Sequence, residues 1–221
     1  MLNTSISQFK QKHQNKKNQI LFYTIKSDGV NETENLINSF LIEKNSFIFE
    51  SVEKGKIKGR YTILGRNPDY IWEFRGNKCK QIYNNKIKIL KNSPKEIIDQ
   101  IIEKFKFEIP KELPNISSII SGYFSYDIIR YIEKIPDRCK DDLKIPDVRL
   151  SRPKNLIIYD NLKKKIYYIE NVYSDTKIKN YKETYRSIIN KFDLFKNYEN
   201  IKLPEKFTYK RNKNLIKSNT S

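Results

Sequence analysis

The sequence predicts an α+β fold, mainly antiparallel sheets packed with helices. Short segments of strand character follow one another without regular helical crossovers, which disfavours a doubly wound parallel sheet. Two of those segments are separated only by Asn84-Asn85, and Asn tolerates the positive φ that a two-residue hairpin turn requires. Helical periodicity is confined to a few stretches between the strands.

Each element has its own signal. Residues 1–18 are polar and read as a solvated, frayed leader. Residues 20–25 read as a strand. Asn31, Glu32 and Thr33 open a helix whose Leu36, Ile37, Phe40 and Leu41 share a face. Residues 47–52 form a strand and Lys54-Gly55 a loop. Residues 60–64 and 70–74 continue the strand pattern on either side of a turn at Asn67-Pro68-Asp69. Residues 78–83 and 86–90 flank the Asn84-Asn85 turn. Ser93-Pro94-Lys95-Glu96 starts a helix with a capping box and proline in its first turn. Its buried face is Ile97, Ile98, Ile101, Ile102 and Phe105.

Pro110 and Pro114 then mark a loop before a strand at residues 119–126. Gly122 within that strand signals close backbone approach, and Asp127 suits the cap of a short helix near residues 128–132. A polar, proline-marked loop spans residues 136–146. Residues 156–159 and 166–172 form a hairpin around Asp160-Asn161. A last helix runs from about residue 175 to 192, with Tyr181, Tyr185, Ile188, Ile189 and Phe192 on one face. The expected organisation is a leader (1–18), one folded domain (19–192) and a linker (193–221).

Composition narrows the function classes. Apolar residues at 38% and aromatics at 13% suffice for a core, against full disorder. No apolar run approaches the roughly 18 residues that span a bilayer, and the first 18 residues lack a secretory signal. Cys79 and Cys139 make neither a disulfide framework nor a zinc site, so a cytoplasmic location is expected. His13 is the single histidine, which argues against a histidine-based triad. The 44 Lys+Arg against 26 Asp+Glu give a net charge of +18. These cations are dispersed and come with abundant Asn and Ile, as in a solvated basic surface, so neither a nucleic-acid nor a membrane partner is expected. The chain has no glycine-rich phosphate loop, HExxH, CxxC or GxSxG pattern.

Two segments stand out from plain core. In the first, strand alternation places Glu50 on the same side as Ile48 and Val52. A carboxylate so placed needs a partner, and Arg60 is the candidate. Either the two form a structural pair at a sheet edge, or Glu50, Ser51 and Arg60 line a small-molecule site. There Glu50 would bind an ammonium, Ser51 a carboxylate or amine, and Arg60 a carboxylate. The second segment, residues 121–127 with Arg130 and Glu133, reads as a tight strand-to-helix junction with aromatic packing.

Together these segments resemble the large component of anthranilate synthase, a chorismate-utilising enzyme. Phe49-Glu50-Ser51-Val52-Glu53 followed by Gly59-Arg60-Tyr61-Thr62-Ile63-Leu64-Gly65 is similar to one of its motifs, and Gly122 through Arg130 with Glu133 to a second. Asp141-Asp142-Leu143-Lys144-Ile145-Pro146-Asp147 resembles a third, and the strand from Pro153 to Asp160 a fourth, all in order.

The resemblance implies the amino-terminal part of the chorismate-utilising fold. It also implies conversion of chorismate to anthranilate and pyruvate, with ammonia from a glutamine amidotransferase partner, magnesium dependence, and allosteric inhibition by L-tryptophan. It places the catalytic and magnesium-binding residues in a C-terminal chorismate-binding domain whose motifs these 221 residues lack. No catalytic or metal residue is carried over, and the chain alone is expected to be inactive, as a fragment or half of a split protein. The effector residues that carry over are Glu50 and Ser51, with Arg60 less directly matched because the intervening loop varies in length. The alternatives are the large component of 4-amino-4-deoxychorismate synthase and a non-catalytic tryptophan-binding module.

Overall fold

The computed structural model describes residues 4–27, 34, 36–37, 40, 43–50, 59–136 and 141–196. Among them, eight strands form one antiparallel sheet: β1 (Gln19–Lys26), β2 (Phe47–Glu50), β3 (Tyr61–Arg75), β4 (Lys78–Tyr83), β5 (Lys86–Leu90), β6 (Ser121–Phe124), β7 (Val148–Asp160) and β8 (Lys165–Val172). The order is β1-β8-β7-β3-β4-β5, with β2 paired to β3 and β6 to β7. The long strands β3 and β7 are the axis. The first half of β3 and the second half of β7 carry β2, β8 and β1, and their other halves carry β4, β5 and β6.

Among the described residues, three complete helices pack on this sheet: α1 (Ile6–Gln14), α2 (Pro94–Lys104) and α3 (Tyr181–Lys196). The β1-β8-β7-β3 half is buried on both faces, which explains its nearly continuous apolar runs. One face carries Leu21, Leu64, Ile157, Tyr159, Ile166 and Tyr168 against Phe9 of α1 and Ile188, Phe192 and Phe195 of α3. The other carries Ile20, Leu156, Ile158, Tyr167 and Ile169 against Leu113 and neighbouring loop residues. In the other half, Trp72, Phe74, Cys79, Val148 and Leu150 lie beneath Ile97 and Ile101 of α2.

Several expectations hold. The Asn84-Asn85 turn has both residues at positive φ, 48° and 60°. Ser93 and Glu96 form the reciprocal capping box of α2. Gly122 lies so close to β7 that a Cβ there would sit 1.9 Å from the Arg149 carbonyl oxygen.

Others are corrected. Residues 1–18 are not a solvated leader throughout: Ser5 caps α1 in a capping box with Gln8, and Phe9 is fully buried. His13 bonds the Tyr181 hydroxyl through Nδ1 at 3.0 Å and the Thr176 carbonyl through Nε2 at 2.9 Å, a structural role. Asn67-Pro68-Asp69 is a bulge within the continuous β3, because Pro68 faces Pro153 of β7 and neither needs an N–H partner there. The junction helix is a 3₁₀ turn, Tyr126–Tyr131, with Ser125 and not Asp127 at its cap position. Asp127 instead accepts a bond from Arg130 Nε at 2.9 Å. Ile102 is exposed, outside the buried face of α2. The last helix starts at Tyr181 and runs to Lys196, burying Phe195, so residues 193–196 belong to the fold and not to a linker. Glu34, Leu36, Ile37 and Phe40 are helical, with Leu36 and Phe40 in the core. The expected start of that helix, Leu41, Ser51, the Lys54-Gly55 loop, Cys139 and residues 197–221 lie outside the described residues.

Candidate functional site

Glu50 ends β2 opposite Thr62 of β3, and its side chain is exposed. Ile48, two residues earlier, faces Leu64 and packs on the core beneath α1 and α3. Glu50 therefore shares the core-facing side of the strand but lies beyond the edge of the core, where a carboxylate stays hydrated. Phe47 holds β2 in place. Its ring lies over Gly65 of β3, where a Cβ would sit 2.2 Å from two of its ring carbons.

Arg60 precedes β3 and so lies at the same end of the β2–β3 ladder as Glu50. Its guanidinium pairs with Asp160, at the far end of β7, and not with Glu50. Nε donates to Oδ1 at 3.1 Å and Nη2 to Oδ2 at 2.8 Å. The guanidinium also lies 4.7 Å from the centre of the Tyr61 ring. Asp160 is fully buried and takes two further bonds, from the backbone amides of Leu162 and Lys163, both at 3.1 Å. Burial alone would push this carboxyl up. Arg60 and the two amides outweigh it and hold the carboxyl below its usual range. The structural Glu50–Arg60 pair is thus replaced by Arg60–Asp160, which pins the entry of β3 to the β7–β8 turn.

The second segment forms the tight junction expected of it but not the aromatic packing, since Tyr123, Phe124 and Tyr126 are exposed, and its hub is Asp147, the last residue of the third motif. Asp147 Oδ2 accepts from the Tyr131 hydroxyl and from the Gly76 amide, both at 2.8 Å. The Asp147 backbone bonds Phe74 at 2.8 Å and Ser125 at 2.7 Å. One aspartate so ties the β3–β4 turn to the 3₁₀ turn. Around this junction Tyr126, Ile132 and Leu143 are 90%, 81% and 76% exposed. That is an apolar surface with no covering element among the described residues.

Cys79 is buried, which pushes its thiol up to about 12 and keeps it protonated. Among the described residues, no group of three or more His, Cys, Asp or Glu side chains is gathered as for a metal ion. No described helix is long and apolar enough to cross a membrane.

Known proteins resemble this arrangement. No family model matches the chain. Anthranilate synthase component 1 of Cereibacter sphaeroides is 30% identical over 165 residues, covering 72% of this chain and 33% of that protein. Its counterpart from Acetivibrio thermocellus is 36% identical over 128 residues, 58% of this chain and 26% of that protein. The chain belongs to the anthranilate synthase component I family. The crystal structure of anthranilate synthase component I from Streptococcus pneumoniae matches with a TM-score of 0.50 at 21% identity, covering 79% of this chain and 37% of that one. That likeness supports the α+β fold with its curled antiparallel sheet. This family member spans about a third or less of the length of these curated relatives.

Proposed function

We propose that the chain is the amino-terminal regulatory portion of an anthranilate synthase component I and supplies half of a tryptophan feedback site. In this reading the assembled enzyme is cytoplasmic. It converts chorismate to anthranilate and pyruvate, using ammonia from a glutamine amidotransferase partner. Chorismate and magnesium are held in a chorismate-binding domain outside this chain, and that domain covers the apolar surface around Tyr126, Ile132 and Leu143.

The observation that carries the regulatory reading is the open end of the β2–β3 ladder. There an exposed carboxylate, Glu50, precedes Ser51 and shares the ladder end with a fixed guanidinium. An α-amino acid presents an ammonium and a carboxylate on the same carbon. Glu50 answers the ammonium, the Ser51 hydroxyl adds a hydrogen bond, and Arg60 answers the carboxylate through Nη1, the edge that Asp160 leaves unbonded. None of these groups needs to touch chorismate. The test is tryptophan inhibition of an enzyme assembled from this chain and a chorismate-binding domain. Glu50→Gln should weaken inhibition while kcat stays near its original value. Equal inhibition of both enzymes would exclude Glu50 from the site.

A further inference from the structure

Helix α2 covers only part of the sheet face on which it lies. Leu90, Cys79, Phe74 and Val148 form one row across β5, β4, β3 and β7, in the same core as Ile97 and Ile101 of α2. Alternation puts two further rows on this face, and they differ in chemistry. One contains Lys88, Gln81 and Trp72, and the other Lys86, Tyr83, Tyr70 and Arg152. Beside them opens a cavity of about 370 Å³, within the size range of small-molecule sites.

Its aromatic wall is preformed. Tyr70 and Trp72 stack with centroids 5.5 Å apart and planes 9° from parallel, and Tyr83 stacks on Tyr70 at 4.5 Å. Trp72 donates its Nε1–H to Gln81 Oε1 at 3.3 Å, which fixes the indole. The charge of the lining is also asymmetric. Asp175, its one carboxylate, is bonded to Arg152 at 2.8 and 3.1 Å. Lys88 and Lys104 have no carboxylate partner among the described residues. The cavity therefore combines an aromatic wall, in which Tyr83 and the Arg152 guanidinium already cover the faces of Tyr70, with these two cations.

We propose that this cavity binds a small aromatic carboxylate, with its ring on the Tyr70–Trp72 wall and its carboxylate at Lys88 and Lys104. The site is separate from the effector half-site. Thr62, opposite Glu50, lies eight residues before Tyr70 on β3, about 26 Å of extended strand.

Trp72 is the sole tryptophan of the chain, so indole fluorescence excited at its red edge reports on this cavity. Benzoate titrated into the 221-residue chain should give a saturable change with a dissociation constant of about 1 mM or tighter. Cyclohexanecarboxylate, with the same charge and no π face, should bind more weakly. The double substitution Lys88→Met/Lys104→Met should raise the benzoate constant about tenfold with an unchanged far-ultraviolet circular dichroism spectrum. Absence of a saturable signal overturns the site, as does benzoate binding indifferent to the two lysines. Equal affinity for both carboxylates overturns the aromatic assignment.

Discussion

Replacing Arg152 by Met should destabilise the fold more than any change at an exposed charge. Arg152 and Asp69 are 7% and 6% exposed, and they pair doubly at 2.8 and 2.7 Å. Asp69 lies in the β3 bulge, so this pair locks the bulge to β7. The guanidinium also lies 3.8 Å from the Tyr173 ring centre and 4.6 Å from that of Tyr70. Asp175 adds a second carboxylate, 45% exposed and correspondingly weaker. Met keeps much of the packing volume but leaves Asp69 charged and unpaired in the interior, which costs about 3–5 kcal/mol. For a chain of this size that lowers Tm by about 6–20 °C. The assay is thermal and urea unfolding of the single variants and of Arg152→Met/Asp69→Asn. The double variant should recover about 1–3 kcal/mol relative to Arg152→Met, because it removes the orphaned charge. A loss below about 1 kcal/mol for Arg152→Met, or strict additivity in the cycle, would refute the argument.

Three further outcomes are expected. The purified chain should form no anthranilate from chorismate with either ammonia or glutamine, and measurable product would contradict the division of labour proposed above. The chain should self-associate or bind a hydrophobic dye through the surface around Tyr126, Ile132 and Leu143; a clean monomer at high concentration without dye binding argues against a covered face. Glu170 is buried, and burial raises its carboxyl above the ordinary value despite Lys191 Nζ at 3.1 Å and the Tyr168 hydroxyl at 3.0 Å. With its folded-state pKa raised, its contribution is full below the unfolded value of about 4.3 and is lost as pH rises through the folded value. Glu170→Gln should flatten that decline in urea midpoints between pH 4 and 8, and a slope like that of the original chain would contradict it.

What could be read from the sequence follows the range of the interactions. The Asn84-Asn85 turn, the Ser93 capping box and the close approach at Gly122 are local, and all three are present. The antiparallel sheet was legible from the absence of regular crossovers. The Ser5–Gln8 box of α1 has the same local form as that of α2, but a polar stretch with one apolar anchor, Phe9, concealed it. The β3 bulge looks like a turn in the sequence because Asn-Pro-Asp is a strong turn signal. Only the pairing of Pro68 with Pro153 across the sheet explains how the strand continues. Glu50 is the partner that nearness in sequence suggests for Arg60, whereas its actual partner, Asp160, lies 100 residues away. Arg152 and the bonding role of Asp147 escape a reading of the sequence for the same reason, since their partners come together only in the fold.

The most direct measurement of the central claim is tryptophan inhibition of the assembled enzyme carrying Ser51→Ala. A hydrogen bond to a charged group is worth about 1.5–3 kcal/mol, so the inhibition constant should rise roughly ten- to a hundredfold while kcat is nearly unchanged. An inhibition constant equal to that of the original enzyme would contradict the account and leave Glu50 with a structural role at the end of β2.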